Sequence, residues 1–128
     1  MKSLFALGSL MTIFMSLAAC GQNDEIPPTK VNIQLSEFKI ESSVTSFEAG
    51  KTYEFVVENM GSMMHEFMVT PMDSGHNMGV MMEIEEDEMG PGMMQTKKFT
   101  FDGKGQFEFA CHLPGHYEGG MKLTVTAS

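Results

Sequence analysis

The chain has 128 residues, enough for one modest hydrophobic core. Its eight basic residues are all lysine and face seventeen acids, a net charge of −9. Nothing in that balance neutralises phosphates, which excludes a nucleic-acid partner and favours a basic partner or a cation.

Met1 to Ala19 carries one lysine, Lys2, then an apolar run, then small residues before Cys20. This is the layout of a secretory signal peptide, and the run is too short for a comfortable membrane span. Leu17-Ala18-Ala19-Cys20 resembles a bacterial lipobox. The resemblance implies cleavage before Cys20 and a diacylglycerol on its sulfur, a membrane anchor. Gly21 lacks the aspartate associated with inner-membrane retention, which leans the anchor towards an outer membrane. Losing Lys2 with the leader would take the net charge to about −10. We expect three parts: residues 1–19 a lipoprotein signal peptide, 20–30 the lipidated cysteine and a polar, proline-bearing tether, and 31–128 the folded domain.

From residue 31 the pattern is the period-two alternation of half-buried strands. Val31, Ile33 and Leu35 share a face, and Phe38 and Ile40 resume it after a slip at Ser36-Glu37 that suggests a bulge. Glu48-Ala49-Gly50-Lys51 reads as a turn, and Tyr53, Phe55 and Val57 form the next inward face, ending at Asn59-Met60-Gly61. His65, Phe67 and Val69 follow, then Pro71 breaks the strand. Phe99 and Phe101 lead through Asp102-Gly103-Lys104-Gly105 to Phe107 and Phe109, and Met121, Leu123 and Val125 close the chain. No stretch has a helical period. Short strands with Gly/Pro punctuation predict an all-β fold, an antiparallel sandwich. Residues 71–95 are the exception, a long connection without clear alternation, and such connections are usually functional or mobile.

Extending the alternation places Cys111 on the face of Phe107 and Phe109, His65 with Phe67 and Val69, and Met121 with Leu123 and Val125. Each lies at the end of a strand. His116 comes from the loop between, where Pro114-Gly115 can turn the imidazole back. Singly, each has a plain structural reading: a small buried thiol, a core histidine, a surface loop residue, a packing methionine. Together they make a thiolate, two imidazoles and a thioether, the donor set of a blue-copper electron-transfer site. Zinc would favour a closed set with more thiolates or histidines, and calcium an oxygen cage. If Cys20 carries lipid, Cys111 is a lone thiol in an exported protein, and a metal that consumes the thiolate explains it.

Cys111-His-Leu-Pro-Gly-His116-Tyr-Glu-Gly-Gly-Met121, with His65 upstream after Asn59-Met60-Gly61, resembles the type 1 copper motif of the cupredoxins over residues 30–127. The loop length is similar to that of rusticyanin and auracyanin. His65-Glu66-Phe67 with a methionine-rich middle most resembles the periplasmic cupredoxins linked to bacterial copper tolerance. The resemblance implies a Greek-key cupredoxin sandwich holding one copper ion, with His65, Cys111 and His116 as strong ligands and Met121 axial. Glu66 departs from the pattern, since many cupredoxins have Asn or Ser after the first histidine. Alternation from an inward His65 turns the Glu66 side chain to solvent.

His112, facing away from Cys111, reads as a surface residue, and the acidic run Glu83 to Glu88 as a solvated loop. The middle segment offers Met72, His76, Met78, Met81, Met82, Met89, Met93 and Met94 as a second, weaker copper site. Two functions follow: single-electron transfer through the edge of His116, or copper tolerance by sequestering or passing on the ion. Either implies a transient redox or copper-handling partner at the cell envelope. A catalytic copper enzyme would need further histidine clusters, and beyond His65 and His116 only His76 and His112 remain.

Overall fold

In the computed structural model residues 26–72 and 79–128 are described. The expected leader and the lipidated Cys20 lie outside the described residues, as do His76 and Met78. The alternating segments become β1 (Thr29–Ser36), β2 (Lys39–Ser42), β3 (Ser46–Phe47), β4 (Thr52–Asn59), β5 (Phe67–Pro71), β6 (Met82–Ile84), β7 (Met94–Thr100), β8 (Gly105–Ala110) and β9 (Lys122–Ala127). They form two sheets, ordered β2-β1-β4-β7 and β3-β9-β8-β5-β6. Among the described residues no helix is long and apolar enough to cross a membrane.

The sandwich is therefore the predicted one, but its pairing is mixed rather than wholly antiparallel. β1 runs parallel to β4, and β3 parallel to β9. The chain leaves β2, places the short β3 against the other sheet, and returns as β4 beside β1. Such a crossover is what a parallel neighbour requires. Alternation fixes which face a residue presents but carries no information on the direction of the next strand.

The core is built from the inward positions read off the sequence. Val31, Ile33, Leu35, Phe55, Val57, Phe67, Val69 and Phe109 are all fully buried. Seven phenylalanines fill the space between the sheets, with Phe67–Phe109 at 5.1 Å and Phe55–Phe109 at 5.6 Å beneath the end of β8. These tilted and edge-on ring pairs add about 0.5–1.5 kcal/mol each beyond their area.

Two local readings are corrected. The slip at Ser36-Glu37 is a hairpin rather than a bulge: Ser36 pairs with Lys39, leaving Glu37 and Phe38 as the turn. Phe38 is consequently not in the core but 46% exposed, with a positive φ of 60°. That conformation costs a bulky residue about 1–2 kcal/mol, so contacts of its ring must offset it. The long 71–95 connection contains β6, a short 3-10 helix (Glu86–Glu88) and the start of β7. Of the expected solvated run, Glu85, Glu86 and Asp87 are exposed, whereas Glu83 lies half-buried in β6 and Glu88 is half-buried 3.7 Å from Lys97 Nζ.

Candidate metal centre

β5, β8 and β9 are neighbours in one sheet, and antiparallel pairing brings the start of β5, the end of β8 and the start of β9 to the same end. His65 stands just before β5, Cys111 just after β8 and Met121 just before β9, with His116 in the connecting loop. His65, Cys111 and Met121 have no exposed surface and His116 is 6% exposed. The loop is laced to itself. Cys111 N donates to Met121 O (3.1 Å), Met121 N to His116 O (3.0 Å) and His116 N to Leu113 O (2.9 Å). Gly115, with φ of 82°, supplies the left-handed step that turns His116 inward.

The donor atoms of His65, Cys111 and His116 lie within 4.8 Å of one another. His65 Nδ1 is 3.2 Å from His116 Nδ1, which is 3.4 Å from Cys111 Sγ. His65 Nε2 is buried with no hydrogen-bond partner, so this ring finds its polar neighbours only on the Nδ1 side. Burial pushes the His65 imidazole below its usual value, helped by His116 and opposed by Glu37. Burial likewise pushes the Cys111 thiol up, against backbone N–H donation from Glu66 and Leu113. A neutral imidazole presents a lone pair, and a cation that binds the thiolate must displace its proton. Two imidazole nitrogens and a sulfur converging in a buried triangle fit a soft or borderline cation.

Glu66 corrects the solvent-facing expectation. Its carboxylate accepts a 2.6 Å hydrogen bond from His112 N and is half-buried, so it ties the His65 segment to the cysteine loop. Backbone donation to the sulfur needs no Asn or Ser at position 66, which removes the chemical difficulty of that departure. His112 does turn away from the centre, and stacks on Tyr117 at 4.8 Å and 13°.

Two contributors went unread in the sequence, both in the β1–β2 turn. Phe38 meets His116 edge-on at 5.7 Å, and a Cβ on Gly119 would run into the Phe38 ring. Glu37 accepts from Ser62 N (2.5 Å), Ser62 Oγ (3.0 Å) and Met63 N (3.0 Å), pinning the loop that leads to His65. A Glu-Phe pair between two strands was the available signal. Buried Asn59 adds Nδ2 bonds to Met63 O (2.8 Å) and Met89 O (2.7 Å), and His65 N donates to Met89 O (3.2 Å).

The methionines of the middle segment are dispersed. Met89 is fully buried behind His65, Met81 and Met82 pack on the core beside β5, and Met72 accepts a bond from Thr124 Oγ1 (3.7 Å). Met93 and Met94 are exposed at 40% and 54%.

A model of copper binding proteins of the plastocyanin/azurin family matches residues 27–128. The copper-resistant cuproprotein CopI of Pseudomonas aeruginosa is 29% identical over 135 aligned positions, covering 74% of this chain and 75% of that protein. Dithionite-reduced auracyanin of Roseiflexus castenholzii superposes with a TM-score of 0.65 at 21% identity, over 78% of this chain and 97% of its own. Reduced rusticyanin does so with a TM-score of 0.58 at 15% identity, over 80% and 81%. The chain belongs to the plastocyanin/azurin family of copper-binding proteins, with a cupredoxin fold and a buried His–Cys–His cluster.

Proposed function

We propose that this protein is a mononuclear type 1 copper protein of the bacterial cell envelope that transfers single electrons. His65, Cys111 and His116 would hold the ion as strong ligands and Met121 as the weak axial one. Bound copper supplies one-electron chemistry. The observation that carries the reading is the buried triangle of one nitrogen each from His65 and His116 and the Cys111 sulfur, all within 4.8 Å. The chain's own part is to keep that triangle unchanged as the ion's charge changes. The self-laced loop and the Glu66–His112 tie restrain Cys111, His116 and Met121, and the Met89 carbonyl and Phe67 strand restrain His65. The edge of His116, beside Phe38, Leu113, Pro114 and Gly119, is the route outward, suited to a transient redox partner. Optical and EPR spectra of the copper-loaded protein, followed by a redox titration, test this. An intense thiolate-to-copper band with a one-electron wave is expected, and its absence removes the proposal.

The relative described as copper-resistant favours a second reading, copper tolerance, in which the same site binds or passes on excess ion. Under it, the residue 72–94 methionines and His76 would supply further soft ligands. We read the chain as no enzyme in isolation, because a catalytic copper enzyme needs further histidine clusters and the sequence holds four histidines, two of them the proposed ligands. Export on residues 1–19, lipid on Cys20 with residues 20–30 as tether, and an outer-membrane address belong to the same proposal.

A further inference from the structure

Six of the nine exposed large apolar residues among the described residues are methionines. Three of them crowd one loop: Met60, Met63 and Met64, 58%, 44% and 47% exposed, immediately before His65. Apolar side chains held in water need a reason. The backbone of this loop is not free to fold them away. Asn59 holds Met63 O and accepts from Gly61 N (2.9 Å), and the Glu37 carboxylate holds Ser62 and Met63 N. Every anchor uses a main-chain group or the Ser62 hydroxyl, so the three thioethers are left unspent. Met93, 40% exposed, adjoins them, its carbonyl accepting from Asn59 N at 2.9 Å.

We infer that Met60, Met63 and Met64 form a surface site for Cu(I), at the same end of the sandwich as the buried donor triangle. Thioethers are uncharged soft donors that select Cu(I) over hard cations. The ionised Glu37 at the base of the loop and the acidic chain as a whole add an attractive field for a cation. The site lies outside the 72–94 segment that the sequence singled out. It is distinct from the buried centre and does not require that centre to be functional. The competing use of exposed methionine is an adaptable protein-docking surface. Leucine separates the two, because it preserves bulk and apolarity while removing the sulfur.

The test is Cu(I) stoichiometry of the reduced full chain under anaerobic conditions, read against a colorimetric Cu(I) chelator. The wild type is expected to bind about two ions, one of them exchanging readily, and the triple variant Met60→Leu/Met63→Leu/Met64→Leu about one. The oxidised spectrum of the triple variant should match the wild type, which shows that the fold and the buried centre survive. Cys111→Ser should lose the coloured centre yet keep the exchangeable ion, so failure of either site is visible without the other. Equal stoichiometry in wild type and triple variant overturns the proposal. So does loss of the second ion in Met72→Leu/Met81→Leu/Met82→Leu with its retention in the triple variant.

Discussion

Two loops at one end of the sandwich both carry methionine, and they are built in opposite ways. The loop from Cys111 to Met121 binds to itself, Cys111 to Met121 and Met121 to His116, and its methionine is fully buried. The loop from Asn59 to His65 is held by the Glu37 carboxylate of another hairpin, by Asn59 at its own root and by main-chain bonds to Leu35 and Met89, and its methionines are in water. The first is laced chiefly to itself, with the Glu66 tie added, and the second is suspended from its neighbours. The same thioether chemistry can therefore serve an occluded ligand in the first loop and an exchangeable one in the second. It also follows that damage to the polar anchors should loosen the His65 side while leaving Cys111, His116 and Met121 in register.

The largest expected effect lies in the self-laced loop. Cys111→Ser should abolish the thiolate-to-copper band while circular dichroism still reports a sandwich. Burying a hydroxyl there should also cost about 1–3 kcal/mol in denaturant unfolding of the metal-free protein. A retained band would sink the ligand assignment.

Asn59→Ala strikes the suspended loop at its root, stranding the Met63 carbonyl and the Gly61 N–H and leaving the Met89 carbonyl only the bond from His65 N. About 1–3 kcal/mol of destabilisation is expected. Copper should still bind, with the spectrum altered through His65. An unaltered spectrum together with unaltered stability would show that the loop is held some other way.

Met121→Leu should keep both copper and fold and raise the reduction potential, because only a weak axial bond is lost. Loss of copper in this variant would make the loop methionine a strong ligand and blur the contrast between the loops.

Glu37 gives the comparison a pH axis. Hydrogen bonds from Ser62 and Met63 hold its carboxyl down to about 2 from an ordinary 4.5. A depressed folded-state value stabilises above the unfolded one, so this contribution is complete above about 4.5 and fades as pH falls towards about 2. Glu37→Gln should lower stability at neutral pH and flatten the acid limb across that window, as followed by thermal melts. Identical acid limbs would remove Glu37 as an anchor.

The smallest effect belongs to Glu66→Gln, which retains an acceptor for His112 N and removes only a charge beside the cysteine. A modest shift of potential with unchanged copper content is expected. A change of colour as large as that from Met121→Leu would promote Glu66 to a direct influence on the ion.

That His65, Cys111 and Met121 are buried at one end of the sandwich was legible because they continue strand alternations to their ends, where Cβ direction is fixed by the pleat. The sandwich was legible for the same reason, through Tyr53, Phe55 and Val57 or Phe107 and Phe109. What alternation could not give was partner direction, hence the parallel β1–β4 pair. Nor could it give the outcome of a two-residue turn, hence Phe38 over His116 instead of in the core. Glu66 was misjudged because alternation sets only the first bond of a side chain, and a glutamate can curl back to the Cys111-His112 segment. The dispersal of Met72, Met81, Met82 and Met89 depended on β6, three residues long and too short to announce itself by period.

The stack of His112 on Tyr117, capped by Lys122 Nζ at 4.3 Å, has an optical consequence. The chain has no tryptophan and two tyrosines, so its ultraviolet emission comes from Tyr53 and Tyr117 alone. Tyr117 adjoins His116 in the chain, while Tyr53 sits at the far end of β4, about 20 Å along the strand from Asn59. A paramagnetic or absorbing ion at the buried triangle would darken the near fluorophore more than the distant one. Tyrosine emission of the unlabelled protein thus reports on the centre, and a Tyr53→Phe variant isolates the Tyr117 signal whose loss reads occupancy.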